Sequence, residues 1–232
     1  ISTPIYGKLS DLYGRKNILS IGIIIFITGS FLCGVSGSMY QLIIFRALQG
    51  LGAGAIFTVT YTIVGDIFTL SERAKVQGWL GTVWGVASLA GPFLGGFLID
   101  YLSWHWIFLI NIPIGILGII LSFKCMPNYK SPVIDFDLKG FLIFAAASLL
   151  LSISLELLGN TKNITPILLI LMLGFLMLFY YYKHAKTDNN PIFPLNLFQV
   201  RAFRVGILGN LATRLGISSI PLLVPLMIQI SY

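Results

Sequence analysis

The chain has 232 residues, of which 56% are hydrophobic and 10% are charged, and its net charge is +7. An average soluble domain has about 25% charged residues, so this composition excludes a water-soluble globular domain. The apolar residues form long runs instead of periodic stripes, which means that the solvent for those runs must be lipid. Runs of about 20 residues predict helices, because each segment must satisfy its own backbone hydrogen bonds in lipid.

Seven membrane-spanning helices are predicted in succession. At a rise of about 1.5 Å per residue, each approaches the ~30 Å thickness of the hydrocarbon layer. The predicted ranges are 17–36, 40–65, 78–101, 104–124, 138–158, 165–183 and 205–229. Residues 1–7 are expected to be the tail of another helix, and we expect both ends of the chain to be cut. The predicted fold class is therefore an all-α polytopic transmembrane helical bundle.

Basic residues fall in every second loop of this layout. Twelve of the 15 Lys and Arg residues lie in or beside the loops near 8–16, 66–77, 125–138 and 184–204. Because Lys and Arg gather in cytoplasmic loops, we predict that these four are cytoplasmic in a multi-pass protein of the plasma (inner) membrane. The net charge then reflects topology and contact with anionic lipid, and it does not indicate a nucleic-acid partner.

The first of three motifs lies in the loop near 8–16 and has the order G-x-L-x-D-x-x-G-R-K. Its selected members are Gly7, Asp11, Gly14, Arg15 and Lys16. The two glycines are expected to frame a tight turn, and Asp11 is placed to form an ion pair with Arg15 across one helical turn. An ordinary charged hairpin would explain the charges but not the whole pattern.

The second motif, R-A-L-Q-G-L-G, starts at Arg46 inside an apolar helix. Arg46, Gln49, Gly50 and Gly54 are predicted to share one helical face, on which the glycines allow another helix to approach closely. A charge at that depth costs about 2.5 to 3.5 kcal/mol on insertion scales. The physical alternative is that Arg46 extends its side chain to the interface, and the pattern alone leaves both interpretations open.

The third motif is a series of small residues in the predicted helix over 78–101. Its members are Gly81, Gly85, Ser88, Gly91, Pro92, Gly95 and Gly96. Steps of three and four residues give one smooth face, and a proline removes one helix hydrogen bond. The spacing by itself indicates close helix packing and nothing more.

Together the three motifs resemble the major facilitator superfamily. The first is similar to the signature loop between its second and third helices, the second to its fourth helix, and the third to the motif that marks its antiporters. The resemblance implies a gating role for Asp11 and Arg15, a role in proton coupling for Arg46, and export as the direction of transport.

Two further features resemble the fourteen-helix drug:proton antiporter branch. The stretch from Ser103 to Gly115 is similar to the start of the sixth helix in that branch, and two additional apolar spans follow it. By this resemblance, residues 1–125 form a partial N-terminal six-helix bundle without helix 1 and most of helix 2. Residues 126–183 are two inserted helices with a cytoplasmic linker, and residues 184–232 are an interfacial segment and the first helix of the C-terminal bundle.

One more charge lies deep in an apolar helix. Arg214 lies about 14 Å into the last predicted helix, given a rise of about 1.5 Å per residue, and a charge at that depth needs a partner. Asn210 lies one turn away on the same face. We hypothesise that both face the central cavity.

Two smaller signals concern a helix start and the two cysteines. Thr69 and Glu72 predict a capping box, and Cys33 and Cys125 are predicted to be free thiols on opposite sides of the membrane. No spacing along the chain suggests a metal-ligand cluster, a cofactor site or a catalytic constellation.

The predicted function is a proton-coupled exporter of drug-like or toxic small molecules that works by alternating access. A facilitator or exporter of another solute, such as a metabolite or siderophore, is the alternative. A sensor or membrane enzyme would be a different class, and the three motifs argue against it. The expected partners are the bilayer, the substrate and protons, and a periplasmic adaptor is left open.

Overall fold

A computed structural model describes residues 2–126, 137–160, 164–188, 191 and 195–213. These residues form helices joined by short turns, without a β-strand among them. The helices are α1 (Thr3–Tyr13), α2 (Arg15–Gly34), α3 (Met39–Ile67), α4 (Leu70–Tyr101), α5 (Trp106–Leu109), α6 (Asn111–Cys125), α7 (Leu138–Asn160) and α8 (Ile164–Thr187). A 3₁₀ turn over Leu195–Gln199 precedes a helical segment at 201–213. The prediction of an all-α fold is confirmed.

Six stretches are long and apolar enough to cross a membrane. They are Arg15–Gly34, Met39–Ile67, Leu70–Tyr101, Trp106–Cys125, Leu138–Gly159 and Ile164–Thr187. They correspond to the first six predicted spans. The seventh, at 205–229, is described only as far as residue 213.

The fourth helix begins earlier than the predicted span at 78. Thr69 donates from its backbone nitrogen to Oε2 of Glu72 at 3.0 Å, and its hydroxyl donates to the same oxygen at 2.7 Å. This predicted capping contact starts α4 at Leu70. The apolar run that suggested residue 78 marks where the helix becomes hydrophobic, not where it begins.

The predicted helix at 104–124 is divided into α5 and α6 at Ile110. Pro113 lies in the first turn of α6 and has no N–H group to donate to the carbonyl of Leu109. The helix therefore loses one hydrogen bond where the break occurs.

The closest packing is between α2 and α3. The buried residues on the two facing surfaces are mostly small and include Gly22, Ser30, Gly52 and Ala55. A Cβ atom at Gly29 would lie 2.6 Å from Cα of Gln49, so only glycine permits this approach of the two backbones. Small residues have this role in membrane helices because van der Waals packing replaces the hydrophobic effect there.

Helices α7 and α8 form a hairpin that packs mainly against itself. The rings of Phe144 and Tyr181 meet edge to face with centroids 5.5 Å apart, and Ala147 and Ser154 are fully buried between the helices. This pairing agrees with two inserted helices, although the proposed domain boundaries stay a prediction.

Helix α4 is 32 residues long and has no buried residue. Its large apolar side chains point outward, among them Trp79 at 66% and Phe93 at 81% exposure. Such a surface suits lipid or other protein and would be unstable in water.

Candidate functional site

Arg15 is the centre of a group of charges where α1 ends and α2 begins. Its Nη1 contacts the Asp11 carboxylate and donates to Ser10 Oγ at 2.6 Å, and its Nε donates to Oδ2 of Asp66 at 2.9 Å. The Arg15 side chain is only 13% exposed. One guanidinium therefore ties the end of α1 to the last turn of α3. We call Asp11, Arg15 and Asp66 the charge cluster.

Gly14 creates the bend on which this cluster depends. Its φ angle of 88° lies in a region that L side chains rarely adopt, and it is the single residue between α1 and α2. Gly7 lies inside α1, which continues to Tyr13. The expectation that both glycines frame a turn is therefore wrong for Gly7, whereas the predicted contact between Asp11 and Arg15 is present.

Lys16 makes a separate link from the same motif. Its ammonium group donates to the carbonyl oxygen of Phe123 at 2.9 Å and lies 5.1 Å from the centroid of that ring. Phe123 is in the last turn of α6, where a positive charge stabilises the unpaired carbonyl groups of a helix. The motif thus joins the ends of four helices.

Asp66 was not selected in the sequence analysis. The available signal was its position at the start of the loop near 66–77, which is predicted to lie on the same side of the membrane as the first motif. Arg73, counted there only as a topology signal, donates to the carbonyl oxygen of Phe68 at 2.9 Å and to that of Gly65. It therefore caps the C-terminal end of α3.

Arg46 begins a chain of polar side chains that crosses the bundle. Its Nη1 donates to Oε1 of Gln49 at 2.7 Å, and Gln49 in turn donates to the hydroxyl of Ser30. The amide of Asn111 reaches the same hydroxyl at 3.4 Å. These four residues, the polar chain, link α2, α3 and α6. Sequence reasoning selected Arg46 and Gln49 but not Ser30 or Asn111.

Arg46 has a polar partner, an aromatic neighbour and an exposed surface. The residue is exposed at the surface of the described chain, but its guanidinium lies 5.7 Å from the centroid of the Phe108 ring and has Gln49 as a partner. Gln49 itself is 3% exposed. The charge is thus held against α5 by a buried amide.

The predicted common face of the second motif is only partly correct. A Cβ atom at Gly54 would collide with Ser2, so that glycine does allow a close approach. Gly50 has no described atom within 4 Å of such a position, because it points about 100° away from Gln49, which faces α2. The expectation of a close helix at Gly50 is therefore not met by any residue that the structure describes.

The third motif makes no close contact within the described chain. Apart from the nearby backbone of α4 itself, a Cβ atom at any of its glycines would have no described atom within 4 Å, and Pro92 lies inside α4 without ending it. This applies to Gly81, Gly85, Gly91, Gly95 and Gly96. Among the described residues, the smooth face is present but has no helix against it.

A cavity of about 860 Å³ opens between α1, α3, α4 and the helical segment at 201–213. Its lining residues combine aromatic rings with hydroxyl and amide groups and are Thr3, Phe57, Thr58, Tyr61, Thr62, Gln77 and Asn210. The ring of Phe57 stacks on Tyr61 and lies 5.1 Å from that of Trp84. Asn210 is therefore at a cavity, whereas Arg46 and Gln49 are not among its described lining residues. Arg214 lies outside the described residues.

Six apolar helices, with charged side chains paired at the helix ends, define a multi-pass membrane protein. The chain belongs to the Major Facilitator Superfamily of transporters, whose family model matches residues 1–229. The resemblance drawn from the three motifs is thereby confirmed.

Curated relatives give a more specific comparison. The chain is 36% identical over 232 residues to the "Putative multidrug resistance protein MdtD" of Escherichia coli O139:H28 (strain E24377A / ETEC). The same identity is found with the proteins of that name from Escherichia coli O157:H7 (strain EC4115 / EHEC) and Shigella flexneri serotype 5b (strain 8401). In each case the alignment covers 99% of this chain and 49% of the relative, so the chain spans about half the length of these proteins.

Proposed function

We propose that this chain is part of a secondary active transporter that exports drug-like or toxic small molecules by proton antiport through alternating access. The observation that carries the proposal is the charge cluster, in which one guanidinium bonds carboxylates on two helices. Contacts of this kind must break if the helix ends separate. They therefore hold the ends of α1, α2 and α3 together, so that this part of the N-terminal bundle can move as one body during alternating access.

The cavity beside Phe57 supports organic molecules as the substrate class. Stacked aromatic rings offer flat apolar surfaces and attract cations through their π faces, and nearby hydroxyl and amide groups can orient a ligand. The cavity's described lining residues do not include a carboxylate. A lipophilic molecule, neutral or with a delocalised positive charge, matches this lining better than a small hydrophilic ion does.

Two comparisons support export in particular. The relatives carry the words "multidrug resistance" in their names. The small-residue series of α4 has the pattern of the superfamily's antiporter motif. We place the loops near 8–16 and 66–77, and hence the charge cluster, on the cytoplasmic side of an inner membrane.

The test uses the full-length protein in inverted membrane vesicles. An imposed proton gradient is expected to drive accumulation of a fluorescent cationic dye, and an uncoupler is expected to abolish it. Asp66→Asn should lower the initial rate several-fold, whereas Asp100→Asn, which changes an exposed acid near the C-terminal end of α4, should not. Dye movement that ignores the proton gradient would contradict antiport. Failure to move any cationic dye would favour a facilitator of another solute.

A further inference from the structure

A second group of ionisable side chains lies at one end of the α7–α8 hairpin, away from the charge cluster. Asp137 immediately precedes α7, His184 is in the last turn of α8, and Asp188 follows that helix. Nε2 of His184 lies 2.9 Å from Oδ1 of Asp137 and 3.5 Å from Oδ2 of Asp188. One ligand atom from each residue lies within 4.8 Å of the others. We call these three residues the hairpin cluster.

Helix capping explains only part of this arrangement. Oδ1 of Asp137 accepts from the backbone nitrogen of Gly140 at 2.7 Å, as expected of an N-cap residue. That contact does not require an imidazole or a second carboxylate nearby. The other Asp137 oxygen, Oδ2, is buried without a hydrogen-bond partner among the described residues, in a side chain that is 3% exposed. A buried carboxylate oxygen is costly unless something compensates it.

Two aromatic rings lie beside the lysines next to the hairpin cluster. Two lysines are close in sequence, but the ammonium group of Lys183 lies 5.0 Å from the centroid of the Phe179 ring. That of Lys186 lies 4.7 Å from the centroid of the Tyr182 ring. Both ammonium groups thus have aromatic partners.

The donor atoms fit a metal ion in chemistry and spacing. A tetrahedral site with bonds of about 2.0 to 2.1 Å places its ligand atoms about 3.3 Å apart, close to the observed 2.9 and 3.5 Å. Imidazole nitrogen with carboxylate oxygens is a donor set for Zn²⁺ and related divalent ions. Spacing along the sequence does not predict this set, because Asp137 and His184 are 47 positions apart.

We propose that Asp137, His184 and Asp188 bind a divalent transition-metal cation of the Zn²⁺ type, which ties the start of α7 to the end of α8. The neutral imidazole binds through the Nε2 lone pair and keeps its proton on Nδ1. Three protein ligands leave a fourth position for water. The ion neutralises the buried carboxylate of Asp137 and fixes one end of the hairpin, independently of what the protein transports.

The test measures Zn²⁺ binding to the full-length protein in detergent after removal of metal with a chelator. Calorimetric titration with Zn²⁺ alone is expected to give one more site in the native protein than in Asp137→Asn or His184→Gln. Affinity should fall at least about tenfold in Asp188→Asn, since loss of even an outer-shell partner costs 10 to 100-fold. His105→Gln removes the other histidine of the chain and should leave binding unchanged.

Two controls keep the proposal falsifiable. Gel-filtration profiles identify any variant that fails to fold. If Asp137→Asn does not fold, Asp188→Asn still tests the proposal, because the Asp188 side chain is 31% exposed and its change should preserve the fold. Co²⁺ is expected to give a visible absorption band that both His184→Gln and Asp188→Asn lose. Equal Zn²⁺ stoichiometry and affinity in the native protein and all three ligand variants would overturn the proposal.

Discussion

Arg15 and Asp66 are 51 positions apart in the sequence, and Nε of Arg15 donates to Oδ2 of Asp66 at 2.9 Å. The bond joins the first residue of α2 to the last turn of α3. It therefore requires these two helix ends to lie on the same side of the membrane, as the pattern of basic residues predicts. Asp11 contacts the same guanidinium, so neither acid is its only partner.

The first prediction concerns this bond. We consider a double-mutant cycle with Arg15→Gln and Asp66→Asn. The double variant should lose less free energy of unfolding than the two single variants lose in sum. We expect a coupling of about 1 kcal/mol, since partly exposed ion pairs are typically worth up to that amount. Thermal unfolding of the full-length protein in detergent provides the measurement. The matched cycle between Arg15 and Asp100 should be additive, and additivity in both cycles would contradict the role given to Asp66.

The second prediction concerns the polar chain. Gln49→Leu should lower the free energy of unfolding by about 1 to 2 kcal/mol, because Ser30 and Arg46 then lose a buried partner. Gln77→Leu is the matched control, since Gln77 is exposed on α4 and should change stability by less than about 0.5 kcal/mol. The comparison is made by unfolding in a graded series of detergent mixtures. Equal effects of the two changes would mean that the polar chain adds nothing to stability.

The third prediction contrasts two glycines. Gly29→Ala should destabilise the protein by about 1 to 3 kcal/mol, because the added methyl group meets the backbone of Gln49 and overpacks the helix interface. Gly91→Ala should be neutral or stabilising by up to about 1 kcal/mol, since alanine favours helix and no described atom lies near that position. Melting temperatures of the two variants test this difference. If Gly91→Ala proves as damaging as Gly29→Ala, α4 packs against a partner through this face.

The fourth prediction uses the two cysteines. Cys125 is exposed at the end of α6, whereas Cys33 is fully buried. The experiment uses a full-length variant in which every other cysteine is replaced. Because the loop near 125–138 is predicted to be cytoplasmic, a membrane-impermeant maleimide should label Cys125 in inverted vesicles and not in right-side-out ones. Cys33 should react only after denaturation, because a buried thiol in apolar surroundings is inert. Labelling of Cys125 from the outside would reverse the predicted topology.

Much of the fold could be predicted because lipid imposes simple rules. Long apolar runs specify where helices cross, and Lys and Arg specify which loops share a side. Thr69 and Glu72 also predicted the start of α4 at Leu70, because a capping box marks a helix start without regard to hydrophobicity. The break before Asn111 was harder to predict, because a proline in the first turn of a helix is usually well tolerated.

The candidate site was predictable only where it is local. Asp11 and Arg15 are four residues apart, so a rule for helical neighbours brings them together. Asp66, Ser30 and Asn111 reach their partners through the packing of separate helices, which no spacing along the chain encodes. At Gly50 a close helix was predicted that no described residue supplies. A shared helical face does not reveal which neighbour, if any, lies against it.

The bond from Lys16 to the carbonyl oxygen of Phe123 spans 107 positions. Because a ribosome releases the chain from its N-terminus onward, Asp11 meets Arg15 early, Asp66 arrives about fifty residues later, and Phe123 arrives last. Arg15 therefore gains Asp66, and Lys16 gains the carbonyl of Phe123, only after later helices have been synthesised. By the order of synthesis, the bond from Lys16 to Phe123 is the last of these contacts to form, after α6 has entered the membrane.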